Sequence, residues 1–336
     1  MGYMKEKQRI EKKIVKIRWI YFALSLVLVA VLCVLAVFFS PNEWKYHIAL
    51  PSVEFCKQGE LRVSFLNVGQ GDATLVRFPD GKTMLVDGGN ETQKSELSLM
   101  RYLNAAEIER IDYLVLTHPD ADHCGGLGVV AETKEIGTAY LPSNVQIEKG
   151  GAYEEYLSAL EKNGCAVAKA DRTLRIVSTD PAYPYSVVGL YPYASGIDQT
   201  DGEEYESNER SCVLLIEYNG VEILISGDAP AEAEESIMHD YSLGMLAVGN
   251  GNLNSVEILK VAHHGSNNAT TQKWINFLHL QTAVISVGEG NAYGHPTAET
   301  LARLSAGAVQ TYRTDLHGHI VAVVSGNGTY EMKVES

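Results

Sequence analysis

Cysteine is scarce in this 336-residue sequence: there are five, and none forms a C-x-x-C pair. That excludes a metal or redox motif of the paired-thiol kind. Cys33 lies in an apolar run. Cys56, Cys124, Cys165 and Cys212 read as lone buried thiols rather than as two disulfides, although an exported domain permits pairing. Internal repeats and low-complexity tracts are missing. Charge is missing from Trp19 to Phe39, and basic charge is short in everything after it. The whole chain carries −15, while the first 40 residues hold seven basic residues against Glu6 and Glu11. Residues 41–336 therefore carry −20. Such a body repels polyanions at long range, which excludes tight, non-specific coating of DNA. It leaves room for a nuclease, because a cationic metal centre binds phosphate locally.

What is present begins with the uncharged run. As a helix its 21 residues span about 32 Å, which matches a hydrocarbon core of roughly 30 Å. A cleaved signal peptide has an apolar region of about 7–15 residues and a small-x-small cleavage site. This run is longer and ends Val37-Phe38-Phe39-Ser40-Pro41, so it reads as an uncleaved transmembrane anchor over 19–39. The basic segment 1–18 precedes it, which predicts a cytoplasmic N-terminus and an extracytoplasmic body. Residues 40–60 read as a linker, and 61–336 as one domain.

Within that domain Leu61, Val63 and Phe65 alternate with polar residues, a strand pattern. Further strands are expected at 73–76, 84–86, 111–116, 211–217, 221–226, 256–262, 282–287, 308–312 and 318–324. Asn219-Gly220 between two of them predicts a tight hairpin. Helices are expected at 92–104, 151–163, 230–240, 270–279 and 297–305. This mixture predicts an α/β fold of two sheets covered by helices.

The chemistry concentrates after the apolar strand 111–116. His118, Asp120, Asp122 and His123 place four metal-competent side chains within six residues. Packed together without partners they would be costly to desolvate, and a divalent cation removes that cost. The alternative is a solvated acidic turn. Two distant segments add to the set: the apolar run 223–225 leads into Ser226-Gly227-Asp228, and 258–262 leads into His263-His264-Gly265-Ser266. Both place ligand types at carboxyl ends of strands, where α/β folds collect their sites.

Together with Asp72, Asp87-Gly88-Gly89, Thr117-His118-Pro119-Asp120-Ala121-Asp122-His123 and Tyr293-Gly294-His295-Pro296, this set resembles the metallo-β-lactamase superfamily. More narrowly it resembles the C-terminal hydrolase domain of ComEC-type DNA-uptake competence proteins. The resemblance runs from Leu61 to Ser325. Asn67-Val68-Gly69-Gln70-Gly71-Asp72 and the Tyr-Gly-His-Pro run are particular to that branch. The multi-helix channel of those proteins has no counterpart here, so transport is not implied.

The resemblance implies an αββα sandwich, two divalent metal ions (zinc or manganese) and a hydrolase. His118 and Asp120 would hold the first metal, and Asp122, His123 and His264 the second, with Asp228 bridging and a bridging hydroxide as nucleophile. Neighbours on a strand point to opposite faces, so only one of His263 and His264 is expected to ligate, and His264 is preferred. His263 is then free to contact substrate or act as an acid, and His295 to protonate the leaving oxygen. His295 also reads as an ordinary loop histidine. Asp122 serves as ligand and in catalysis. The superfamily usually has His at Asp120, and often another between His123 and Asp228, where this sequence offers only Asn208 to Ser211. Oxygen-rich ligation favours harder ions. Asp87 reads equally as support for the ligand loop or as a turn residue, and Asp315 as a substrate contact. Cys124 is left out of the site, and His239, His279, His317 and His319 read as ordinary. The expected activity is metal-dependent phosphodiester hydrolysis outside the membrane. The partner is nucleic acid or another phosphodiester, with an envelope phosphodiester or a non-catalytic scaffold as alternatives.

Overall fold

The computed structural model describes residues 2–38, 43–142, 150–193 and 207–335. Contacts divide the chain into two compact units, Met1–Ala49 and Leu50–Ser336. In the first, one helix runs Gly2–Phe38. Its stretch Lys12–Ala36 is long and apolar enough to cross a membrane. The helix starts far ahead of Trp19 because Lys, Glu, Gln and Arg are good helix formers. The end of the expected anchor at Phe39, and residues 40–42, lie outside the described residues.

The second unit begins inside the segment read as a linker. From Leu50 the chain belongs to the body, and the Glu54 backbone N–H donates to Glu335 at 3.0 Å. One sheet has eight strands in the spatial order Tyr330–Glu335, His319–Val324, Leu61–Phe65, Thr74–Arg77, Thr83–Val86, Arg110–Val115, Glu135–Leu141 and Ala166–Lys169. The other has seven, in the order Gln310–Arg313, Thr282–Ile285, Ile258–Lys260, Val221–Ile225, Val213–Tyr218, Tyr185–Tyr191 and Arg175–Val177.

The period-two pattern decides what lies between the sheets. Leu61, Val63, Phe65, Val76 and Val86 of the first sheet share a core with Leu214, Ile216, Ile223, Ile225 and Ile258 of the second. Leu215, Leu224 and Leu259 point the other way. They share a second cluster with Ala233 and Ile237 of the helix Ala231–Ser242, Trp274 of Gln272–Leu278 and Leu304 of Ala298–Ala306. Each fully buried aliphatic side chain contributes roughly 1.5–3 kcal/mol. Three helices start with a threonine whose hydroxyl accepts a backbone N–H: Thr92 from Ser95, Thr271 from Trp274 and Thr297 from Thr300. This satisfies one of the donors a helix start leaves open.

At the expected hairpin, Asn219 and Gly220 both have positive φ, 53° and 76°, and Tyr218 pairs with Val221. Two left-handed residues give the tight turn whose twist matches its strands. Among the cysteines, Cys124 and Cys212 are buried and Cys56 and Cys165 are half-buried, and all are free thiols.

Two blocks of parallel strands position the site. Thr83–Val86, Arg110–Val115 and Glu135–Leu141 run parallel in one sheet, and Val221–Ile225, Ile258–Lys260 and Thr282–Ile285 in the other. Their carboxyl ends release the loops that hold Asp87, His118, Asp228 and His264.

Candidate metal centre

The loops are first fastened to one another through backbone. Asp72 N–H donates to Asp122 O at 3.0 Å, Gly88 N–H to His123 O at 2.6 Å, and Gly89 N–H to Asp72 O at 2.7 Å. Gly71 makes the first contact possible: its φ is +137°, and a Cβ there would stand 2.4 Å from Asp122 O. After this crossing the chain makes one helical turn, Ala121–Cys124, which carries Asp122 and His123 into the pocket.

The side chains converge on Asp228. His123 Nε2 is 3.2 Å from Asp228 Oδ1, and His264 Nε2 and His263 Nε2 are 3.6 and 3.7 Å from Asp228 Oδ2. Asp122 Oδ2 is 3.1 Å from His264 Nε2, and Asp120 Oδ2 is 3.6 Å from His118 Nε2. The His118 and His123 rings lie 4.0 Å apart. The structure thus brings together His118, Asp120, Asp122, His123, Asp228 and His264. His263 and His295 stand at the edge, with their rings 5.6 Å apart.

Charge and burial act against each other here. Burial pushes the Asp228 carboxyl up, but the His123, His264 and His118 imidazoles outweigh it and hold the group well below the usual range. Burial likewise raises Asp122, and the bond to His264 with the charges of His123 and His264 more than reverses that and holds it below the usual carboxylate range. Burial lowers His123, and the Asp228 and Asp87 carboxylates more than reverse that. For Cys124 burial dominates and pushes the thiol up to about 12, which suits an inert packing residue.

A second layer orients these groups. Asp87 accepts from the Thr117 backbone N–H and from the Thr117 hydroxyl, both at 2.8 Å, and faces His123 Nδ1 at 2.9 Å. It also adopts φ +59°. Asp87 is therefore a support for the ligand loop, of the kind that fixes an imidazole's orientation at metal sites. His264 Nδ1 faces Ser286 O at 2.9 Å. Ser211, from the stretch where the superfamily often has a histidine, accepts from the Asp228 N–H at 2.8 Å and lies 3.4 Å from His118 Nδ1.

The donor set fits divalent metal. His118 Nε2, His123 Nε2 and Asp228 Oδ1 are buried without a well-aligned hydrogen bond, the last two facing each other at 3.2 Å. Three poorly satisfied polar atoms buried in one pocket are costly unless a cation occupies their midst.

One detail differs from expectation. The strand carrying the histidines stops at Lys260, and His263 and His264 lie in a turn with φ 49° and 52°. Strand alternation therefore does not separate them. Burial does: His264 is inside, while His263 keeps a quarter of its side chain exposed. The Asp315 carboxylate accepts from the Arg313 guanidinium at 2.6 Å.

Sequence reasoning missed Lys260. Its ammonium is buried, ion-paired to Asp72 Oδ2, and bonded to Gly227 O at 3.2 Å. Asp72 in turn lies 3.7 Å from both His123 Nδ1 and His264 Nδ1, behind the rings whose Nε2 atoms face Asp228. The signal for it is a lysine inside an apolar strand, Ile258-Leu259-Lys260-Val261, which needs a buried counter-charge.

The profile of the metallo-beta-lactamase superfamily matches residues 66–289. The chain belongs to that superfamily. ComE operon protein 3 of Bacillus subtilis is 28% identical over 280 residues, covering 79% of this chain and 33% of its own length. Competence protein ComA of Neisseria gonorrhoeae is 29% identical over 266 residues, covering 79% of this chain and 32% of its own. Both are ComEC-type competence proteins, and the chain spans about a third of the length of these relatives. Among solved structures it is similar to Tm1679, a metal-dependent hydrolase of the beta-lactamase superfamily. Identity there is 11%, coverage 82% of this chain and 99% of that one, and the TM-score 0.48. Members of this superfamily have the sandwich described above and bind divalent metals.

Proposed function

We propose that the protein is a metal-dependent phosphodiesterase, with single-stranded or duplex nucleic acid as its foremost substrate class, acting outside the cytoplasmic membrane. The observation that carries this reading is the convergence of two histidine–carboxylate sets on Asp228, with three poorly satisfied polar atoms buried in one pocket. The relatives named as competence proteins support nucleic acid as the substrate class. The apolar helix behind a basic segment supports membrane attachment with the body on the far side.

His118 and Asp120 would hold one divalent ion, Asp122, His123 and His264 a second, and Asp228 both. Zinc and manganese both suit nitrogen and carboxylate donors. Bound there, the ions would supply a water acidic enough to ionise near neutral pH and would neutralise charge on the attacked phosphate. Asp87 and Asp72 hold the imidazoles in place from behind. His263, part-exposed beside Asp228, faces the substrate side and would bind a phosphoryl oxygen. His295, held below the ordinary imidazole range by burial and by the neighbouring His263 and His264, would donate a hydrogen bond to the leaving oxygen.

The test uses the full chain in detergent, stripped of metal and reloaded with manganese or zinc. Cleavage of single-stranded DNA, duplex DNA, RNA and bis-p-nitrophenyl phosphate is followed, with Asp122→Ala as the blank. Metal-dependent cleavage of nucleic acid, absent from the blank, is expected. Cleavage of the small diester alone moves the reading to envelope phosphodiesters. Stoichiometric metal with no cleavage of anything overturns the hydrolytic reading in favour of a scaffold. Orientation is tested by adding protease to spheroplasts, where protection of the body would overturn the external placement.

A further inference from the structure

Beside the pocket the loop 288–295 holds one large exposed aromatic in a fixed position. Tyr293 is 70% exposed. Its ring lies parallel to that of His295, at an interplanar angle of 10° and 6.0 Å between centroids. His295 is 5.6 Å from His263, whose Nε2 is 3.7 Å from Asp228. The rings of Tyr293, His295 and His263 thus form a file leading from solvent to the metal pocket.

The loop is rigid for reasons visible in its bonds. The Asn291 side chain donates to Gly288 O at 3.0 Å and to His295 O at 2.7 Å. It accepts from the N–H groups of Tyr293 at 3.2 Å and His295 at 3.1 Å. Gly288 presses on the Gln70 loop, where a Cβ would stand 2.6 Å from Gln70 N, and its N–H donates to Gln70 Oε1 at 3.2 Å. A preorganised aromatic face in water, two rings away from the candidate metal pocket, matches what a nucleobase needs from a protein. Every base has a π-face, so stacking binds single strands without reading sequence. It also works where charge does not help, as on a body carrying −20 over residues 41–336.

We infer that Tyr293 is a stacking platform for an unpaired nucleobase next to the scissile phosphate, which makes single-stranded nucleic acid the preferred form of substrate. This rests on the nuclease reading above. The experiment compares a single-stranded oligodeoxynucleotide with the same oligomer made abasic at one site, using the manganese-loaded full chain. The wild-type protein should cleave at the base-bearing site with kcat/KM about tenfold above the abasic one, the size of one base–aromatic stack. Tyr293→Ala should bring that ratio toward one by raising KM for the base-bearing oligomer. Tyr293→Phe, which keeps the ring, should retain the ratio.

A second readout is binding without turnover. 2-Aminopurine in the oligomer should be quenched on the Asp122→Ala chain and much less on Asp122→Ala combined with Tyr293→Ala. An unchanged ratio and unchanged quenching in the Tyr293→Ala forms overturn the platform while leaving the nuclease reading intact. Failure of the wild-type protein to cleave any nucleic acid overturns both.

Discussion

One strand, Val221–Ile225, carries a buried carboxylate at each end, and the two are treated in opposite ways. Beyond its carboxyl end Asp228 sits among imidazoles and is held well below the usual carboxylate range. At its start Glu222 sits beside another acid. Its N–H donates to Glu257 at 2.8 Å, and its own carboxylate accepts from Asn252 N–H at 3.0 Å. Burial first, and then the bond and charge of Glu257, push it up to about 7. Burial raises both carboxyls, which are 3% and 4% exposed, so it does not set the opposite directions of the two shifts. Partners do. A carboxylate surrounded by imidazoles stays ionised and is ready for a cation, whereas one facing another carboxylate takes up a proton.

The comparison breaks most severely at the pocket. Asp122→Ala should abolish metal-dependent turnover while far-UV circular dichroism stays native. Asp87→Ala, which leaves all six proposed ligands present, should weaken metal affinity by roughly 10–100-fold in a competition titration. A normal affinity in Asp87→Ala would show that His123 needs no support from behind.

Next in size is Lys260→Met, which leaves Asp72 as an unpaired buried charge. Denaturant unfolding should show a loss of about 3–5 kcal/mol, and Asp72→Asn added to it should restore part of that. A loss under about 1 kcal/mol would mean that Asp72 is neutralised by something other than Lys260.

Stripping the metal with a chelator should lower the melting temperature, because an ion at a hundred times its Kd stabilises by roughly 2.7 kcal/mol. Glu222→Gln should not change that difference, since the two clusters are separate.

The smallest effect sharpens the far end. Glu222 binds a proton when folded that it does not bind when unfolded, between its ordinary 4.5 and about 7. Its contribution is therefore present at low pH and lost as pH rises through that window. Glu222→Gln should flatten the fall in melting temperature from about pH 5 to about pH 7.5 relative to the wild-type protein. Parallel curves would remove the proton-sharing account.

Much of the fold is legible in the amino-acid sequence. Alternation at Leu61–Phe65, the Asn219-Gly220 turn and the apolar run into His118 are local signals, and each corresponds to the expected element. The strands Glu135–Leu141, Ala166–Lys169, Arg175–Val177, Tyr185–Tyr191 and Tyr330–Glu335 lie outside the expected set. Ala166–Lys169 and Arg175–Val177 are short edge strands that end their sheets, so their pattern is weak and pairing defines them. Glu135–Leu141 is interrupted by Gly137, which lowers strand propensity.

The candidate site divides along the same line. Residue types and their order made six metal-competent side chains legible as candidates, and the resemblance to a known superfamily supplied the proposal of how they divide between two ions. The fold was also legible through that resemblance, and the apolar N-terminal segment long enough to cross a membrane was legible in composition. Tertiary structure alone decided that His264 is buried and His263 part-exposed, through a left-handed turn that the strand pattern does not foretell. It also decided that Asp72 belongs with Lys260, 188 positions away, and that Tyr293 stands in file with His295 and His263. A sequence lists which groups are available. Which of them lose their water, and to which partner, is settled only when distant loops close over one another.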